Sequence, residues 1–428
     1  MKSVSKIINS NISQQLFYLL VLVLFLRIDL VFENNTPTGG DMGAHIVAID
    51  TFIKDFMPNL QINGWSNDWF GGYPLYYFYF PLPAIITFIF NLVFPFGIAF
   101  KIMVVMSTIL VVFSIEKLMR KTSNQISIYG ATAGLFYVFT ESFTIYGGNL
   151  ASTLAGQFSF AYSLAFANLS IFYLIKSENN FRFTISSIFL ALCLLSHLIP
   201  FIIYSPIFAF YWLSKKQNLN QRILSIFIFL ALVSRWSVSL LMNLEYTTNM
   251  SYTPFSRLDD LIKKDILPII FILIGLLIAK HKNLIKNKTL NLFDLYIVSS
   301  SVLLYFYVPE GALWNGRLVP FFNLGIIFLF FKAVEIFIDD INLYQQGVNV
   351  LTGLFLGGTI YCLYIFYEKW STNQSYLNLY IPIIFLIMIF AILNLKNVVV
   401  QLNLLIVSII FSTISFLQHW LNWNFKGY

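Results

Sequence analysis

An aspartate and a histidine four positions apart, Asp41 and His45, sit in the most polar stretch of an otherwise lipid-soluble chain. On a helix, residues at that spacing lie one turn above each other on the same face. The imidazole is therefore placed to orient the carboxylate or to share a cation with it. An ionised carboxylate there has the chemistry of a general base. It has equally the chemistry of a helix N-cap, because Asp41 follows Gly39-Gly40 and opens an apolar-periodic run from Met42 to Met57. Two ligands are too few to define a metal site, so a divalent cation (Mg or Mn) on Asp41 is compatible with the pair without being required.

Further side chains with chemical potential lie downstream. Trp65, Trp69, Tyr73, Tyr76, Tyr77 and Tyr79 surround Asp68 and Gly71-Gly72. They read either as an interfacial aromatic belt or as a platform on which apolar sugar faces stack. Arg317, in LWNGRLVPFF, stands at the mouth of an apolar run. Its guanidinium fork suits a phosphate, though snorkelling to lipid headgroups needs the same residue. Arg235, in LVSRWSV, raises the same alternative. His197, three residues before Pro200, reads as a structural hydrogen-bonder or as a substrate contact, and Glu141 is the carboxylate nearest the glycine-rich segment 147–157. Asn149 and Gln157 in that segment, and Asn315 beside Arg317, complete the polar set assigned to substrate binding.

The elements that must position these residues are membrane helices. Of 428 residues 58% are apolar, 18% aromatic and 11% charged, and mean hydropathy is +0.77. That is the composition of an all-α polytopic membrane protein. The net charge of +7 does not mark a nucleic-acid binder, because Lys and Arg fall in short clusters between apolar runs, as in cytoplasmic loops. Cys193 and Cys362 both lie inside apolar runs, which excludes a disulfide framework. The first run, 16–32, holds Arg27 and Asp29 and lacks a small-residue cleavage site, so it reads as a retained span.

At about 20 residues per crossing, further spans are expected near 98–118, 126–146, 158–176, 182–198, 199–214, 221–241, 266–280, 291–308, 317–338, 347–366, 378–395 and 399–420. Residues 76–94, with Pro81 and Pro83, are assigned to a helix embedded from the outer face. On that assignment every basic cluster falls inside. The expectation is 13 spans, amino terminus in and carboxyl terminus out, forming a single membrane domain over 1–428 without a soluble C-terminal domain. Its first extracytoplasmic loop is 33–97. The polar loops 33–75, 147–157, 242–265 and 309–317 then share one outer face.

The motifs GGDMGAH, GGYPLYYFYFPLP, GGNLASTLAGQFSF, SHLIP, EYTTNM and LWNGRLVPFF, spread over almost the whole chain, resemble the membrane proteins catalogued as 6-pyruvoyl-tetrahydropterin-synthase-related. Their architecture is similar to the GT-C superfamily of glycosyltransferases, which includes oligosaccharyltransferase catalytic subunits, protein mannosyltransferases and the aminoarabinose transferase of lipid A. The resemblance implies a cytoplasmic-membrane transferase with an outward-facing site. It would move a sugar from a polyprenyl-phosphate donor to an extracytoplasmic acceptor in cell-envelope glycan or glycolipid synthesis. The resemblance gives Asp41 the role of base or metal ligand. This chain departs from the family pattern at Gln157, where relatives often carry Glu. Two rivals stand beside the transferase: a glycan or lipid transporter, which calls for midplane charges and an inverted repeat, and a non-catalytic scaffold, which Gln157 favours. Sugar, acceptor and oligomeric state are not encoded in any motif.

Overall fold

The computed structural model describes residues 22–23, 26–122, 129–139, 146–175, 180–248, 252–262, 266, 270, 273–274, 292–309, 313–340 and 424–426. Its longer helices are α1 (Met42–Thr51), α2 (Leu82–Asn91), α3 (Phe96–Thr122), α4 (Tyr129–Phe139) and α5 (Phe158–Ile175). They continue as α6 (Asn180–Ser196), α7 (Leu198–Ser214), α8 (Leu219–Met242), α9 (Leu292–Tyr307) and α10 (Val319–Asp340). A short antiparallel hairpin, β1 (Gly64–Ser66) and β2 (Tyr73–Leu75), pairs Trp65 with Pro74 in the loop between α1 and α2.

A helix that is apolar all round belongs in the middle of a bundle, and α5 takes that place. It is buried along nearly its whole length and packs on α3, α6 and α7. Small residues on it, Ala161, Ala165 and Ala167, let neighbouring backbones approach closely. Most of its polar groups are tied down, as a medium without water demands. The Tyr162 hydroxyl donates to the Met103 carbonyl at 2.7 Å, and Tyr204 donates to Asn168 Oδ1 at 2.6 Å. Ser163 Oγ lies 2.8 Å from the His197 carbonyl. α5 is thus pinned in rotation and depth, and with it the residue at its head, Gln157.

At the rim the pattern reverses. In its most apolar stretch α8 is only 17% buried, against 89% for the helical run Leu150–Ile175, and it turns Leu224, Phe227, Leu230 and Leu241 outward. Such a surface suits contact with lipid. Among the described residues Phe96–Arg120, Leu150–Ile175 and Leu219–Met242 are long and apolar enough to cross a membrane. The chain is an integral membrane protein.

Helices occur where spans were expected near 98–118, 126–146, 158–176, 182–198, 199–214, 221–241, 291–308 and 317–338. Those near 347–366, 378–395 and 399–420, with part of 16–32 and most of 266–280, lie outside the described residues, as does Glu141. The total of 13 therefore extends beyond them. The expected helix over 76–94 is shorter than its apolar run. Tyr76 has φ 60°, residues 76–81 turn without helix, and α2 covers only ten residues. Ten residues rise about 15 Å, roughly half the hydrocarbon thickness, so α2 is too short to cross. Residues 424–426 lie against the first loop. Thr38 N–H donates to the Asn424 carbonyl at 2.9 Å, and Asn35 Nδ2 to the Lys426 carbonyl at 2.5 Å.

One buried lysine fixes how that loop leaves the bundle. Lys101 Nζ, fully enclosed at the start of α3, donates at 2.6 Å to the Leu30 carbonyl, the Glu33 carbonyl and Asn35 Oδ1. Three acceptors converge on one ammonium: two carbonyls that also take backbone N–H groups, and the Asn35 side chain. Lys101→Met should remove three charge-assisted hydrogen bonds at once and cost on the order of 3 kcal/mol, read as a lowered unfolding midpoint of the detergent-solubilised protein. An unchanged midpoint would show that the loop is held elsewhere.

Candidate active site

Two glycine-bearing loops meet backbone to backbone. Asp41 N–H donates to the Ala155 carbonyl at 2.9 Å. Gly40 has φ 50°, and a side chain there would bring a Cβ to 2.4 Å from that carbonyl. Gly156 has φ 103°, and its absent Cβ would fall 2.9 Å from Asp41 Cβ and 3.2 Å from His45 Cδ2. Only glycine tolerates both the positive φ and that approach. In the second loop Asn149 Oδ1 accepts the Ser152 amide at 2.9 Å and starts a helical turn. The chain then widens into a π-turn, Thr153–Gln157, before α5. Such one-residue expansions commonly present functional side chains, and this one turns Gln157 toward Asp41.

Asp41 occupies the N-cap position of α1, yet its side chain makes no capping hydrogen bond. The capping alternative is therefore not what the carboxylate does. Instead Gln157 Nε2 faces Asp41 Oδ2 at 3.4 Å, a long contact, while Gln157 Oε1 accepts a 2.7 Å hydrogen bond from Arg317. Arg317 also donates to the Tyr146 carbonyl at 3.2 Å. Anion, amide and cation stand in line although they are 116 and 160 residues apart. Burial pulls the Arg317 guanidinium below its usual pKa, opposed by Tyr79, Tyr252 and Asp41. The guanidinium is turned into the protein rather than out to headgroups, so the snorkelling alternative does not describe it.

These groups form one wall of a cavity of about 860 Å³, with His45 and His197 beside them. His45 packs edge-on against Phe158, its ring centre 4.8 Å away, and tilts against Tyr79 at 5.5 Å. Burial lowers its pKa to about 4, and the Asp41 charge and the Gly156 backbone recover only part of the loss. At neutral pH it is an uncharged ring that can orient Asp41. His197 caps α7: its Nδ1 accepts the Ile199 amide at 3.2 Å, and its ring lies between Phe80 and Phe160. With Nδ1 accepting, the proton belongs on Nε2, which makes His197 a neutral donor on the cavity wall.

Much of the remaining lining is aromatic. Trp69 and Tyr73 stack with ring centres 5.7 Å apart, and Tyr252 lies 5.3 Å from Trp314, which also abuts Tyr146 and Phe255. Tyr246, Tyr252 and Trp314 went unnoticed in the sequence because, in a chain 18% aromatic, a lining ring looks like any other.

Other expected residues lie elsewhere. Trp65 is 62% exposed and folds over Gly72. Asp68 accepts from Thr51 and Ser66, which hold its carboxyl below the usual range, and so braces the hairpin. Arg235 donates to the Leu60 carbonyl at 2.7 Å, away from the cavity. Asn149 is spent on its cap. Asn315 exchanges hydrogen bonds with the Phe255 backbone and donates to the Tyr305 carbonyl, anchoring the loop beneath Arg317.

The donor set does not suit a divalent cation. Among the described residues no three His, Cys, Asp or Glu side chains converge. The amide oxygen nearest Asp41 is already held by a guanidinium, whose charge repels a metal.

No family model and no curated protein matches the chain. Among solved structures it is similar to ArnT from Cupriavidus metallidurans. For the apo crystal structure the TM-score is 0.59 at 12% identity, over 95% of this chain and 76% of that one. For ArnT bound to undecaprenyl phosphate it is 0.59 at 13% identity, over 96% and 78%. The likeness shows that this chain has the same helical fold as ArnT.

Two outcomes are expected at this site. Gly156→Ala should push Asp41 and His45 apart and lower the unfolding midpoint while leaving the bundle helical by circular dichroism; an unchanged midpoint would mean the close approach is dispensable. His45 titrates at 6.5 when unfolded and near 4 when folded. Its contribution to stability is therefore complete above about pH 6.5 and is lost as pH falls through 4. The unfolding midpoint should drop more steeply between pH 6.5 and 4 in the wild type than in His45→Gln. Parallel curves would contradict the burial argument.

Proposed function

We propose that this chain is a GT-C-type membrane glycosyltransferase, of the group its motifs resemble. In this reading it takes a sugar from a polyprenyl-phosphate donor and delivers it to an extracytoplasmic acceptor, from a site on the outer face of the cell membrane. The amino terminus is then cytoplasmic and the carboxyl terminus lies outside. The observation that carries the reading is the alignment of Asp41, Gln157 and Arg317 on one wall of an aromatic-lined cavity. The likeness to ArnT, one of whose structures holds undecaprenyl phosphate, supports it.

The chemistry follows from the wall. The acceptor hydroxyl attacks the anomeric carbon, and Asp41 takes its proton as general base. The bond from that carbon to the phosphate oxygen breaks, and the electron pair leaves with the phosphate. Charge grows on the leaving oxygen in the transition state. Arg317 faces it, joined by the Nε2–H of His197, in a half-buried setting where such interactions gain strength. His45 holds the Asp41 carboxylate in one orientation. The aromatic wall, Trp69 with Tyr73 and Tyr252 with Trp314, offers ring faces to the sugar. No part of this needs a charge at the membrane midplane, as a transporter would.

Asp41→Asn separates the roles of that residue. Its side chain caps nothing, so the variant should fold with an unchanged melting curve. Loss of the base should lower transfer of labelled sugar from a polyprenyl-phosphate donor by about a hundred- to ten-thousand-fold. A well-folded variant with near-normal transfer would falsify the catalytic assignment and favour a scaffold. Arg317→Lys keeps the charge and loses the planar fork, so it should weaken donor binding at least tenfold. Wild-type donor affinity in that variant removes Arg317 from the phosphate site.

A further inference from the structure

We infer that Gln157 is a positioning residue that stands where a bridging cation would otherwise be needed, so that the site operates without a divalent metal. This rests on the transferase reading, whose base and phosphate clamp it holds apart.

The inference starts from the hydrogen-bonding inventory. A carboxylate only accepts and a guanidinium only donates, so brought together they close into a direct ion pair, which lowers the basicity of the one and occupies the fork of the other. A primary amide is the side-chain group that accepts at one end and donates at the other while remaining neutral. Gln157 is used in that sense: its Oε1 takes the Arg317 hydrogen bond at 2.7 Å, and its Nε2 faces Asp41 Oδ2 at 3.4 Å. The amide thus separates the two charges by its own length. The reverse orientation would set Nε2 against the guanidinium and Oε1 against the carboxylate, two repulsions in place of two attractions.

The backbone keeps the strut from swinging away. Gln157 ends the π-turn and abuts the N-terminus of α5, the most enclosed helix of the bundle. One residue earlier, Gly156 touches Asp41 and His45. The other fixed point, Arg317, is tethered to the Tyr146 carbonyl. Both ends are set by elements that cannot slide, so the amide spans a gap of constant width. A metal between Asp41 and position 157 would meet one carboxylate, an uncharged amide, the neutral imidazole of His45 and a nearby guanidinium, whereas hard divalent ions are held by several anionic oxygens.

Glutamate is nearly isosteric with glutamine, so Gln157→Glu changes the charge and little else. It sets two carboxylates about one contact apart, an arrangement that recruits a proton or a cation. The experiment titrates Mn²⁺, followed by electron paramagnetic resonance, into purified full-length wild type, Asp41→Asn, Gln157→Glu and the double variant. Sugar transfer is assayed in parallel with and without EDTA. Wild type and Asp41→Asn should bind Mn²⁺ indistinguishably, and wild-type transfer should stay within twofold in EDTA. Gln157→Glu should bind Mn²⁺ at least tenfold more tightly, and the double variant should lose that gain.

Mn²⁺ binding in the wild type that Asp41→Asn abolishes would overturn the inference. So would a tenfold loss of transfer in EDTA that Mn²⁺ or Mg²⁺ restores, or a Gln157→Glu protein that binds no more tightly than wild type. Should Gln157→Glu fail to fold, the wild type and Asp41→Asn still decide the matter. A wild type inert toward every polyprenyl-phosphate sugar sinks the transferase reading alone, because the Mn²⁺ titration is read independently.

Discussion

The candidate site depends on one backbone contact, the docking of Gly40-Asp41 onto Ala155-Gly156. The hydrogen bond from Asp41 N–H to the Ala155 carbonyl fixes where the carboxylate starts, and two glycines at positive φ make room for it. Were either loop to retreat by the width of a methyl group, Asp41 would lose the Gln157 amide and His45 would lose its place against Phe158. A peptide hydrogen bond contributes only about 1 kcal/mol net. Its importance here is geometric, because every polar group on that wall takes its position from it.

That docking holds because both loops are rooted in a bundle with no freedom to slide. α5 carries the second loop at its head, and its polar groups are matched to partners on α3, α6 and α7. In hydrocarbon an unmatched polar group costs several kcal/mol, so rotation of α5 by even one residue would break several contacts at once. Lys101 does the same for the first loop by gathering three acceptors at the end of the short helix Ile28–Val31. The apolar sequence thus builds a rigid frame, and the few polar residues convert that frame into a defined placement of Asp41 and Arg317.

The cavity also shows why neutral groups matter among charged ones. His45 and His197 are both held uncharged by their surroundings or their hydrogen bonds, and Gln157 is neutral by nature. The formal charges left on this wall are one carboxylate and one guanidinium. In a site of low polarity each additional charge would strengthen unwanted pairings as much as useful ones. Three neutral spacers keep the carboxylate available as a base and the guanidinium available as a clamp.

How much of this the sequence carried depended on whether the signal was local. The helical membrane architecture was legible because about 20 apolar residues in a row have few alternatives in any fold. Asp41, His45, Gln157, His197 and Arg317 were legible because polar residues are scarce in such a chain, and each of them lines the cavity. Reading polarity alone failed for Trp65, Asp68, Asn149, Arg235 and Asn315, which are spent on turns, caps and carbonyls. A residue's type states what bonds it can make, not which partner claims them. The extent of α2 was missed for a related reason, since hydropathy does not register the turn at Tyr76. What the tertiary structure alone decided is partnership across the chain. Asp41, Gln157 and Arg317 meet over separations of 116 and 160 residues, and Tyr252 and Trp314 become a wall. Such contacts are set by the packing of helices around α5, which no local spacing records.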